Sequence, residues 1–245
     1  MTRVESDAQL ARRLAEAAGA LLLNVQRSSG LDGKALGDAG DAAANQLIMD
    51  ALRLARPSDA ILCEEERDNL SRLSARRVWI IDPLDGTREF SEGRSDWAVH
   101  IALAEDGAPH LGAVALPELG VVLGSDTAPM LPAANTPPRM LVSRTRPAAE
   151  AVAVAQALGA DLLPMGSAGA KAMAVVRGEA DIYLHTGGQY EWDNCAPAAV
   201  ALAAGLHVSR ADGAPLRYNN EDPYLPDLLI CRPEWAAPVL ALMAK

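Results

Sequence analysis

An α+β first half followed by an α/β second half is the architecture the sequence predicts, and three observations carry that prediction. Two amphipathic helical stretches precede short apolar segments joined by tight turns. A stretch rich in Pro, Ala, Thr and Asn interrupts the chain over residues 125–138, and beyond it strand-like and helix-like segments alternate to the end. The expected division is one domain over residues 1–136, with mainly antiparallel sheet, and a second over 137–245. Either arrangement can bury a substantial core at 245 residues.

Ser6 or Asp7 can cap a first helix in which Leu10, Leu14, Leu21, Leu22 and Val25 recur near the helical period, ending before Ser28-Ser29-Gly30. After a polar loop, Gly37-Asp38-Ala39-Gly40-Asp41 leads into a second helix with Leu47, Ile48, Ala51, Leu52 and Leu54, and Asp41 falls where an N-cap would sit. Ala60 to Cys63 reads as a short strand that ends in Glu64-Glu65-Glu66. Val78 to Ile81 is an apolar run bounded by turn residues, hence a strand buried on both faces. Trp97 to Ala104 alternates, Asp106-Gly107 supplies a hairpin turn, Leu111 to Leu116 returns, and Gly120 to Gly124 adds a further strand.

From Arg139 the pattern predicts strands at 140–142, 162–163, 182–184, 206–209 and 228–230. Helices are expected at 148–158, at 168–177, at about 192–204 and at the end of the chain. Glu191-Trp192-Asp193 opens the third of these, and Pro197 is expected in its first turn, where the missing N–H costs nothing.

Composition excludes several function classes. The formal charge is −10 with no basic run, and aromatics are 4 %, so neither a polyanion footprint nor a stacking platform for nucleic acid is present. No apolar run reaches membrane-spanning length. Met1 to Asp7 lacks the apolar core of a signal peptide and carries acids that a transit peptide avoids, so the expected location is the cytoplasm. Cys63, Cys195 and Cys231 are odd in number and widely separated, which fits neither zinc spacing nor a disulfide framework. His100, His110, His185 and His207 do not cluster and read as structural; no G-x-S-x-G nucleophile motif appears.

The chemistry concentrates at Asp82-Pro83-Leu84-Asp85-Gly86-Thr87, where a buried strand delivers Asp82 at its C-terminal end. Gly86 permits positive φ or close backbone approach, and Thr87 can begin a helix whose first N–H groups point outward. Such a helix start suits a phosphate, which the neighbouring carboxylates would repel unless a divalent cation stood between them. A calcium loop fails on register because Leu84 occupies a ligand position. An aspartyl-nucleophile D-x-D-G-T motif fails because position 83 is proline. Taken singly, Asp41 and Asp193 are caps and the triple glutamate is a solvated face.

Three segments in order, Cys63-Glu64-Glu65, Asp82 to Thr87, and Trp192-Asp193, make the chain resemble the magnesium-dependent, lithium-sensitive phosphomonoesterases that include inositol monophosphatases and 3′(2′),5′-bisphosphate nucleotidases. The likeness spans nearly the whole chain. Glu89-Phe90, Ser143-Arg144 and Gly166-Ser167 with Lys171 look like the nucleotidase branch, and most of all like bacterial, especially actinobacterial, members acting on 3′-phosphoadenosine 5′-phosphate.

The resemblance implies a layered α-β-α-β-α sandwich, two or three Mg²⁺ ions, a homodimer and a role in sulfate assimilation, with the 5′-phosphosulfate as a possible further substrate. Metal ligands would be Glu64, Asp82, the Leu84 carbonyl, Asp85 and Asp193, with Glu65 as the fallback for Glu64; all but Asp193 fall in the first domain. Asp41 and Thr87 would orient or deprotonate the attacking water. The amides of Gly86 and Thr87 would receive the phosphate, and Ser167, Lys171 and Arg144 would contact substrate. Close acid pairs repel by roughly 4 kcal/mol each at an effective dielectric of about 20, a cost that hard cations with oxygen ligands remove. Asp38, Cys63 and Asn194-Cys195 depart from the usual pattern without removing a ligand. Inositol-1-phosphate or fructose-1,6-bisphosphate hydrolysis on the same site, and a catalytically silent metal or phosphate sensor, are the alternative expectations.

Overall fold

The computed structural model describes residues 5–244, so the first four residues of the stretch read for a leader, and residue 245 of the expected second domain, lie outside the described residues. Helix α1 spans Asp7–Ser28 and is capped by Ser6: its hydroxyl accepts from the Gln9 N–H at 3.2 Å, and the Gln9 side chain accepts from the Ser6 N–H at 3.0 Å. Helix α2 spans Gly33–Ala55, so Asp41 lies inside the helix, which corrects the expected N-cap. Gly37 and Gly40 lie inside the helix too, where they serve close approach. A Cβ at Gly37 would lie 2.7 Å from Thr87 Cγ2, and one at Gly40 would lie 2.9 Å from Phe90 Cε1. Leu54, expected on the apolar face, is 85 % exposed.

Strands β1 (Ala60–Cys63) and β2 (Arg77–Asp85) pair in parallel, with Cys63 opposite Ile81, so both deliver acids at the same edge. β2 runs four residues beyond Ile81 with an irregular register between Asp82 and Asp85, which places Pro83 within the strand end. The five-residue helix α3 (Thr87–Ser91) follows Gly86, whose φ of +89° suits glycine. Strands β3 (Ala98–Glu105), β4 (Ala108–Leu116) and β5 (Val121–Gly124) continue the sheet antiparallel, in the order β1-β2-β3-β4-β5. The β3–β4 turn places Asp106 and Gly107 at φ +52° and +73°, a hairpin geometry that matches strand twist.

The rest of the chain forms β6 (Arg139–Ser143), α4 (Ala149–Leu158), β7 (Asp161–Met165) and α5 (Ala168–Val176). It continues through β8 (Ile182–His185), β9 (Gln189–Tyr190), α6 (Glu191–Ala203), β10 (His207–Ser209), β11 (Tyr224–Leu225), β12 (Leu228–Cys231) and α7 (Pro233–Met243). The second sheet has the order β10-β12-β8-β6-β7 and mixes parallel with antiparallel pairs. The two-residue strands β9 and β11 pair with each other and are too short to leave a periodic signal. Pro197 lies inside α6, beyond the expected first turn, and gives the Asp193 carbonyl no N–H partner.

Alternation along the strands sorts the core into layers. Trp79, Ile81, Val99 and Ile101 face α1 and α2, whereas Val78, Ile80, Ala98 and Ala102 face α5 and α6. The second sheet repeats the division: Leu141, Tyr183 and Ile230 join the same α5–α6 layer, while Met140, Ile182 and Leu229 pack with α4 and α7. The result is α-β-α-β-α. Each sheet comes from one side of residue 136, yet the α5–α6 cluster draws on both. Among the described residues no helix is long and apolar enough to cross a membrane.

Candidate metal centre

Asp82 and Asp85 stand at the end of β2, and Asp193 in the first turn of α6; one carboxylate oxygen of each lies within 4.8 Å of the others. Asp82 is 1 % exposed and Asp85 6 %, so the sheet presents them from the interior. Asp82 Oδ1 accepts from the Leu84 N–H at 3.0 Å, while the Leu84 carbonyl accepts from the Thr87 hydroxyl at 3.2 Å. Asp193 keeps its cap role as well, accepting from the Tyr190 N–H at 2.6 Å.

The electrostatics are those of an acid cluster short of cations. Burial pushes the Asp82 carboxyl well up, and the charges of Glu64, Asp85 and Asp193 push it further. Burial and then Asp85 raise Asp193 to about 6; burial and then Asp193 raise Glu64 to about 7, against a hydrogen bond to Asp82. Asp41, half-buried on α2, rises to about 7 through burial and the charges of Glu65 and Asp38, opposed by the nearby Thr87 hydroxyl. Asp85 is the exception. Burial opposes its ionisation too, but His100, the Gly169 N–H and Lys171 override that and hold it low.

Glu64, an expected ligand, is not in the convergent group of three; it is exposed and interacts with Asp193 and Asp82 electrostatically. Glu66 is drawn away by Arg53 at 2.9 Å, and Asp38 is exposed and paired with Lys34 at 2.6 Å. Three convergent carboxylates form a hard-oxygen donor set that fits a divalent metal such as Mg²⁺.

The expected substrate residues have partners within the protein. Ser167 caps α5 by accepting from the Ala170 N–H at 3.0 Å. The buried Lys171 donates to the carbonyls of Gly166 and Ser167. Arg144 pairs with Glu89 at 2.8 Å and Glu92 at 2.6 Å. The loop before α5 also packs closely on the corner, since a Cβ at Gly86 would lie 2.8 Å from Ser167 Cβ.

His100, read from sequence as structural, reaches the site. Its ring is fully buried on β3, with Nδ1 3.0 Å from the Trp192 carbonyl and Nε2 3.2 Å from Asp85 Oδ2. A carbonyl beside one nitrogen and a carboxylate beside the other favour a proton on both. The Asp85 contact is poorly aligned for a hydrogen bond and is chiefly electrostatic. A histidine within an apolar strand is indistinguishable from a packed core residue, so only the fold reveals this placement.

Comparison with known proteins agrees with the geometry. The inositol monophosphatase family matches residues 3–241. A Mycobacterium leprae protein named 3′-phosphoadenosine 5′-phosphate phosphatase is 54 % identical over 250 residues, covering 96 % of this chain and 92 % of its own length. The Escherichia coli K12 3′(2′),5′-bisphosphate nucleotidase CysQ is 33 % identical over 199 residues, covering 76 % and 81 %. Among solved structures, CysQ from Bacteroides thetaiotaomicron superposes with a TM-score of 0.79 at 25 % identity, covering 93 % of this chain and 97 % of that one. With its α-β-α-β-α layers and an acid cluster drawn from the end of β2 and the first turn of α6, this chain belongs to the inositol monophosphatase family.

Proposed function

We propose that the protein is a Mg²⁺-dependent phosphomonoesterase that removes the 3′-phosphate of 3′-phosphoadenosine 5′-phosphate with water, serving sulfate assimilation. The inositol monophosphatase family is metal-dependent, and the observation carrying the reading here is the convergence of Asp82, Asp85 and Asp193. The substrate rests on the names of the mycobacterial and enterobacterial relatives. Work in the cytoplasm as a homodimer belongs to the same proposal, and light scattering of the purified protein checks the dimer.

Glu64, Asp82 and the Leu84 carbonyl would hold one ion, and Asp82, Asp85 and Asp193 a second. Bound Mg²⁺ supplies charge neutralisation, Lewis acidity and an activated water. Thr87 would orient the attacking water and Asp41, which burial and the charges of Glu65 and Asp38 make more basic than an ordinary carboxylate, would take its proton. The amides of Gly86 and Thr87 orient the phosphoryl oxygens. Lys171 and Ser167 order the loop that packs on Gly86, and Arg144, held by Glu89 and Glu92, would contact the substrate from the same side.

The test is a panel of kcat/KM values with Mg²⁺ and with chelator, across 3′-phosphoadenosine 5′-phosphate, its 5′-phosphosulfate, inositol-1-phosphate and fructose-1,6-bisphosphate. A preference of at least a hundredfold for the bisphosphate nucleotide is expected, with no turnover in chelator. Equal turnover of all four would reject the substrate, and full turnover in chelator would reject the metal.

A further inference from the structure

The Asp85 carboxylate is held from three sides. Oδ1 accepts from the Ala168 N–H at 3.2 Å, and Oδ2 accepts from the Gly169 N–H at 2.5 Å while His100 Nε2 lies 3.2 Å from the same oxygen. Position 169 must be glycine for this packing, because a Cβ there would overlap His100 Nε2 and lie 3.0 Å from Asp85 Oδ2. The other edge of the imidazole meets the main-chain carbonyl of Trp192, the residue before Asp193. One fully buried ring on β3 therefore spans from the side chain of Asp85 to the start of α6.

Resting on the metal reading above, we infer that His100 is a positioning residue. It cross-braces Asp85 to the first turn of α6 and so sets the spacing between two carboxylates, one at the edge of the first sheet and one on the helix packed against it. Each oxygen accepts one main-chain hydrogen bond, and the ring beside Oδ2 adds a charge contact that fixes how the carboxylate is turned. Ligating carboxylates depend on such outer partners, and losing one costs about 10–100-fold in metal affinity. The ring acts through Asp85 and touches neither substrate nor water.

Calorimetric titration of metal-free protein with MgCl₂ tests this without substrate. His100→Ala should weaken Mg²⁺ binding about tenfold or more. His100→Gln, which keeps a donor on a long side chain, should recover part of that loss. In steady-state assays the half-activating Mg²⁺ concentration should rise by the same factor, while kcat at saturating Mg²⁺ and KM for the nucleotide stay within about threefold of wild type. A ring that served only to fill the core would instead lower kcat and melting temperature together, with no rescue by added Mg²⁺.

Wild-type affinity in both variants would overturn the inference and leave the metal reading intact. Absence of Mg²⁺ binding in the wild-type protein would overturn the metal reading itself. Should His100→Ala not fold, His100→Gln decides: affinity unchanged from wild type rejects the brace, and a weakened site supports it.

Discussion

At the scale of single residues the site is defined by what burial does to carboxylates. Asp82 is buried among acids, and its ionised form is opposed by desolvation first and then by Glu64, Asp85 and Asp193. In chelator, Asp82→Asn should therefore match or exceed the wild-type melting temperature, since it removes an uncompensated buried acid. The same substitution should abolish the rise in melting temperature on adding Mg²⁺. It should also lower kcat/KM by about 10³-fold, the equivalent of several kcal/mol of lost charge stabilisation at 1.36 kcal/mol per tenfold. A strongly destabilised Asp82→Asn protein in chelator would contradict the electrostatic account. The acids also set a pH signature. Glu64 and Asp41 sit at about 7 and Asp193 at about 6, all above their unfolded values, so the folded state binds more protons than the unfolded state across that window. The sign follows directly: metal-free stability is greatest below about pH 4 on account of these three groups and declines as pH rises toward 7. Protons and Mg²⁺ compete for the same oxygens, so Mg²⁺ affinity should rise between pH 5.5 and about 7.5. Melting scans with chelator and with Mg²⁺ at each pH check both slopes, and a metal-free protein that gains stability from these groups between pH 5 and 7 would refute the reading. Asp82, Asp85 and Asp193 were picked out in the sequence through the likeness to phosphomonoesterases, since each taken singly has an ordinary local role. His100 was not, because the strand pairing that sets it beside Asp85 and the helix start that brings the Trp192 carbonyl to its other edge are not written in its own neighbourhood.

At the scale of elements the deciding contact is α2 against α3. The sequence reads Gly37-Asp38-Ala39-Gly40-Asp41 as the lead into a helix capped at Asp41, and Gly and Asp are indeed poor helix formers. The helix nevertheless runs through them, since two missing Cβ atoms let α2 lie against Thr87, Ser91 and Phe90 and bring Asp41 to Thr87. Local propensity lost to packing, and that cannot be seen without knowing which element lies opposite. The strands were legible for the converse reason: Ala60 to Cys63 and Val78 to Ile81 carry their burial in their own composition. Gly37→Ala separates the two effects. On an exposed helix face it would stabilise by about 1 kcal/mol. Here the new methyl would meet Thr87 Cγ2 at 2.7 Å and Ser91 Oγ at 2.9 Å, an overpacking that costs about 1–3 kcal/mol. The expected outcome is a net loss of stability of up to about 2 kcal/mol together with a fall in kcat that exceeds any change in KM, because Thr87 is displaced rather than removed. Denaturant melts and steady-state kinetics read the two terms separately, and a more stable, fully active Gly37→Ala protein would show that α2 does not approach so closely.

At the scale of the whole molecule the acids come from both sides of the Pro- and Ala-rich stretch at 125–138, and their convergence is the property least available to the eye reading the chain. Each half supplies a motif that has an ordinary local explanation, a strand end in one and a helix cap in the other. The likeness to phosphomonoesterases joined them at the sequence level; in the molecule the α5–α6 layer joins them, since its core takes Val78, Ile80 and Ala102 from one sheet and Leu141, Tyr183 and Ile230 from the other. Two consequences follow for unfolding. A shared core means that neither sheet keeps its buried face when the other melts, so heating should give one transition and not two, with calorimetric and van't Hoff enthalpies equal. A cation held by Asp82, Asp85 and Asp193 binds only when both halves are folded together, so its binding free energy adds to that same transition. At a free Mg²⁺ concentration about 100 times the dissociation constant the gain is about 2.7 kcal/mol, which for a chain of this size raises the melting temperature by about 5–10 °C. Asp193→Asn should cut that rise to less than half, although it sits in the second half of the sequence and Asp82 in the first. Two separate transitions, of which only the one assigned to residues 5–124 moved with Mg²⁺, would show that Asp193 takes no part in holding the ion.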